Sequence, residues 1–114
     1  MNPMEVFTAI VAIFALGLII FETVKLTIEI IKKIRKNKNT KVIVGDMKDF
    51  IRQVANDPNA KSIKFSDLDK YSSYTAEINT KGEVVGEIKI YEEHDHAVQN
   101  LLKDAKESYV VIED

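Results

Sequence analysis

The stretch from Val6 to Phe21, VFTAIVAIFALGLIIF, runs for sixteen residues without a charge. No other feature constrains the fold as strongly, because a helix that is apolar on every side must be hidden by lipid or by a large surrounding core. The run is slightly shorter than the roughly 20 residues that cross a hydrocarbon layer of about 30 Å. Thr23, Val24 and Leu26 extend it, and Lys25 and Lys32 can reach headgroups along their own methylenes. A secretory signal does not fit: Met1 to Glu5 carries no Lys or Arg, and Glu22-Thr23-Val24-Lys25 offers no small-residue cleavage site. The remaining residues are too few to enclose such a helix, so the sequence predicts one transmembrane span over about residues 5–26.

Charge is divided along the chain. Up to Lys36 there are five basic and three acidic residues; from Asn37 onward there are 11 basic and 15 acidic ones. The acidic remainder argues against nucleic acid as a partner, since phosphate contact needs a clustered basic surface. With no cysteine there is no disulfide framework, thiolate nucleophile or thiolate metal site. Lys25, Lys32, Lys33, Arg35 and Lys36 crowd the C-terminal side of the run and are expected to contact the membrane surface. By the positive-inside bias, the N-terminus is expected outside and the C-terminal domain in the cytoplasm.

Ile10, Ile13, Gly17, Ile20, Val24, Thr27, Ile31 and Ile34 recur at spacings of three and four. This is a heptad seam with charged residues opposite, and it predicts a helix leaving the membrane as an amphipathic stem. Ile13, Gly17, Ile20, Val24, Ile31 and Ile34 would then form a homo-oligomer interface, with Gly17 permitting close approach in lipid.

Beyond a hinge at 37–40, residues 41–114 read as a small α+β domain. KVIVG reads as a strand and Asp46 as the cap of a helix ending near Asp57-Pro58. AKSIKFSDL alternates as a strand would. YTAEINTKGEVVGEIKIYEE reads as a hairpin, with Gly82 supplying the positive φ of its turn. Asp95 caps a second helix with Val98, Leu101, Leu102 and Ala105 on one face, and YVVIED is the last strand. The expected fold class is α+β: a single N-terminal transmembrane helix and stem over 1–36, then a β-α-β-β-β-α-β domain. That domain would have a mixed or antiparallel sheet with two helices on one face.

Candidate chemistry is confined to Glu92-Glu93-His94-Asp95-His96. His94, His96 and Glu92 could bind a divalent metal, although ligands drawn from one short segment favour a solvated turn in which Asp95 is a cap. No phosphate loop or cofactor motif is present, and no base is evident for a serine nucleophile. Tyr71, Tyr74, Tyr91 and Tyr109 would mark a contact surface if exposed. These readings predict a membrane-anchored, self-associating binding or regulatory module that is not an enzyme, takes no cofactor, and presents its soluble domain to a protein or small-molecule partner. The alternatives are an oligomeric channel-like effector gated by the domain and, third, a metal-dependent enzyme.

Overall fold

A computed structural model of the chain describes residues 3–35, 39–105 and 109–112. Five strands form one mixed sheet: β1 (Ile19–Glu22), β2 (Lys41–Asp46), β3 (Ser73–Ile78), β4 (Val84–Tyr91) and β5 (Tyr109–Ile112). Their order is β1-β4-β3-β2-β5; β1 lies parallel to β4 and every other pairing is antiparallel. Four helices accompany it: α1 (Pro3–Ala15), α2 (Ile28–Ile34), α3 (Met47–Val54) and α4 (His96–Lys103).

The sheet has a core on each face. On one side Val6, Ile10, Val11 and Phe14 of α1 and Phe50 and Val54 of α3 meet Ile43, Tyr74, Ala76, Ile78, Ile88 and Ile90. Phe14, Phe50 and Tyr74 interlock there, with ring centroids 4.5, 5.6 and 6.0 Å apart. On the other side Leu26, Ile31 of α2, and Val98 and Leu102 of α4 cover Val42, Val44 and Tyr91. Alternation along β2 sorts Ile43 to the first core and Val42 and Val44 to the second, as the two-residue period of a strand requires.

β1, β2 and β4 point the same way, and α2, α3 and α4 begin just past their carboxyl ends. Each start is capped. Thr27 Oγ1 accepts from Ile30 N at 3.3 Å, Asp46 Oδ1 from Asp49 N at 3.1 Å and Asp95 Oδ1 from Val98 N at 3.0 Å.

The apolar N-terminal run is the main correction. No helix among the described residues is long and apolar enough to cross a membrane; α1 has 13 residues, about 20 Å at 1.5 Å per residue. The helix stops because Gly17 takes φ 73°, Leu18 N bonds Ile13 O at 3.2 Å and Gly17 N bonds Phe14 O at 3.0 Å. That paired pattern is a Schellman cap, for which glycine is the favoured residue. Leu18 to Phe21 then extends, as its isoleucines and phenylalanine favour, and Thr27 caps a new helix. α1 packs by one side because only that side is bulky: Thr8 and Ala12 are exposed, and Ala9 and Ala15 are half-buried. The single-pass placement, with the N-terminus outside and the domain cytoplasmic, rested on the absent span. The continuous stem is likewise replaced by a helix, a strand and a helix.

Two further differences concern the sheet. AKSIKFSDL is not a strand but two short 3-10 turns, Pro58–Ala60 and Phe65–Asp67, the first capped by Asp57 accepting from Asn59 N at 2.8 Å. The fifth strand comes instead from β1. The helices also divide between the two faces instead of sharing one.

Candidate binding surface

Leu16, Leu18, Phe21 and Val24 are 72, 62, 51 and 50 % exposed, and all lie in or beside β1. Singly scattered exposed apolar residues are ordinary, but these four large ones are grouped around one element. The Gly17 cap turns the chain off α1 and lays β1 along β4, pairing Ile19 with Ile88 and Phe21 with Ile90. β1 is an edge of the sheet, and among the described residues no strand pairs with its outer side.

Beneath this edge is a cavity of about 270 Å³ lined by Phe14, Leu16, Ile19, Phe21, Ile63 and Leu68, with Lys64 and Asp67 at its polar end. Ser62 Oγ donates to Ala15 O at 3.2 Å and holds the far wall to the end of α1. Phe21 stands against Tyr71 with centroids 5.3 Å apart, and Lys70 Nζ lies 5.3 Å from the Tyr71 centroid. Lys70 also pairs with Glu92 at 3.4 Å, which raises the lysine above its ordinary pKa. On the opposite face of the strand Glu22 reaches Lys89 at 4.0 Å. Ile19 and Phe21 thus face the cavity, while Glu22 carries the one charge of the strand on the other face.

The candidate metal ligands His94, His96 and Glu92, for which a solvated turn was the favoured reading, are not brought together. His94 Nδ1 lies 2.9 Å from Ser72 Oγ and Nε2 lies 2.6 Å from Gln99 Oε1. His96 opens α4 and is exposed, while Glu92 turns to Lys70. Among the described residues no group of three or more His, Asp or Glu could hold a metal.

The proposed seam is also dispersed. Ile13 packs against one core, Gly17 is the cap, Ile20 is in β1, Val24 is exposed, Ile31 is buried in the other core and Ile34 packs beside it. Lys25, Lys32 and Lys33 are exposed and Arg35 is half-buried, whereas Lys36 lies outside the described residues. All four tyrosines are buried. The surface that did emerge, Leu16 to Val24, was visible in the sequence only as part of the apolar run; Gly17 followed by a β-prone tetrapeptide was the signal that could have separated it.

Compared with known protein families, with characterised proteins and with solved structures, the chain matches none.

Proposed function

We propose that the chain is a small protein-binding module that takes an extended apolar segment of a partner along β1, adding a strand to the sheet. The observation that carries this reading is the exposure of Leu16, Leu18, Phe21 and Val24 around an open sheet edge. Strand addition draws affinity from main-chain hydrogen bonds and specificity from pockets that receive alternate side chains. The cavity under Phe21 has room for one large side chain of the incoming strand.

A partner segment fits this edge better than a second copy of the chain. Four partly exposed side chains offer a patch of a few hundred Å², whereas a stable protein interface buries about 800 Å² per partner. A peptide strand needs less, because one of its side chains can be enclosed completely.

A random peptide library selected on the full chain tests the reading. Selected peptides should alternate apolar residues, perturb and protect the Ile19–Glu22 amides in NMR, and bind at least tenfold more weakly to Phe21→Asp. Failure to select any binder, or perturbations remote from β1, would refute it. Concentration-dependent dimerisation protecting the same amides would give the edge to a second copy instead.

A further inference from the structure

We propose that Ser72 is an activated nucleophile toward small carboxylic esters, with His94 as its base. Ser72 lies just before β3 and its main chain is fixed on both sides: its N–H donates to Tyr91 O at 2.8 Å and its carbonyl accepts from Met47 N at 3.0 Å. The hydroxyl is thereby held 2.9 Å from His94 Nδ1. His94 is fixed in turn, because Leu26 N bonds Glu93 O at 2.9 Å and Asp95 N bonds Leu26 O at 3.1 Å, clamping the main chain on either side of the imidazole. From α4, Gln99 presents Oε1 to Nε2 at 2.6 Å.

This chain has the three parts that nucleophilic catalysis requires: a hydroxyl, a base in hydrogen-bond contact with it, and a group that orients the base. With Gln99 Oε1 accepting, the imidazole proton sits on Nε2 and the Nδ1 lone pair faces Ser72, whose hydroxyl has Nδ1 at 2.9 Å and Tyr91 O at 3.3 Å and donates to the nearer. Compared with the familiar serine, histidine and carboxylate triad, the two ring nitrogens are exchanged and an amide replaces the carboxylate. A neutral orienter supports the imidazolium less, so the activity is modest. Ser72, His94 and Gln99 are each half-buried, so none of the three is sealed in the core.

In the reaction Ser72 Oγ attacks the acyl carbon and its proton passes to Nδ1. Collapse of the tetrahedral intermediate breaks the bond to the leaving alkoxide, which takes that proton and departs as the alcohol. Water then attacks the Ser72 ester with the same base, releasing the acid and restoring the hydroxyl. This site is separate from the β1 edge, whose cavity includes neither Ser72 nor His94.

The test uses the intact chain with p-nitrophenyl acetate and a small fluorophosphonate, whose fluoride is displaced by Oγ. A single adduct should map to Ser72 by peptide mass analysis. His94→Ala should slow its formation by about 100-fold, and Gln99→Glu, which puts a carboxylate behind the base, should accelerate it. Imidazole ¹⁵N shifts should place the proton on Nε2. The proposal is overturned by the absence of an adduct at Ser72, by equal labelling in folded His94→Ala, or by a neutral ring protonated on Nδ1. In that last case Ser72 Oγ–H turns to Tyr91 O, 3.3 Å away. If His94→Ala does not fold, the wild-type adduct and the Gln99→Glu rate decide.

Discussion

Gly45 lies opposite Tyr74 across β2 and β3, and a Cβ added there would collide with the ring and hydroxyl of Tyr74. The ring is itself wedged against Phe14 and Phe50, so it has nowhere to move. Gly45→Ala is expected to lose about 1–3 kcal/mol of unfolding free energy in urea titration, the usual cost of overpacking; unchanged stability would mean the ring does not cover this strand. Tyr91 provides a second residue-level prediction. Burial raises its phenol above the ordinary value of about 10, the nearby Glu22 charge adds to the rise, and the hydrogen bond from Thr75 partly opposes it. The folded state thus keeps a proton that the unfolded state has released, so this contribution is complete below about pH 10 and is lost as pH climbs through the folded value. Absorbance titration of Tyr91→Phe beside the parent should remove a tyrosine that ionises above the ordinary value of about 10.

At the scale of elements, the end of α1 makes a prediction by sign. Gly17 has φ 73° and open space around its missing Cβ, so Gly17→Ala is expected to destabilise by about 1–2 kcal/mol through backbone strain alone. In a helix running on through this position the same change would stabilise by about 0.5–1 kcal/mol. Thermal melting of the two proteins distinguishes the cases. Ile10, fully buried beneath α1, should cost about 2–5 kcal/mol when cut to alanine; a helix residing elsewhere would leave the stability of the domain untouched. Several elements could be read directly from the sequence, because their signals are local: Asp46 and Asp95 as caps, Gly82 with φ 79° in the β3–β4 turn, and the short apolar run of β2. The segment 60–68 misled because Ile63 and Phe65 reach the core from turns, with the same two-residue spacing a strand would show.

For the whole molecule, the radius of gyration is 13.0 Å, close to the about 13 Å expected for a compact chain of this length. Small-angle scattering on a monodisperse sample should return about that value, and a markedly larger one would indicate an N-terminal helix projecting from the domain. The Ser72, His94 and Gln99 chain was not legible beforehand, because its members are 22 and 5 residues apart and meet only when β4 returns beside β3. By itself the sequence determined what local chemistry controls: helix caps, the hairpin turn, strand alternation, and the presence of one long apolar run that had to be hidden. Tertiary structure alone decided which part of it is hidden and that Leu16, Leu18 and Phe21 stay exposed. Burial is a property of the neighbours an element finds, and once α1 lies on one face, β1 joins an edge and α2 covers the other face, three short elements shelter in a core that could not enclose one long helix.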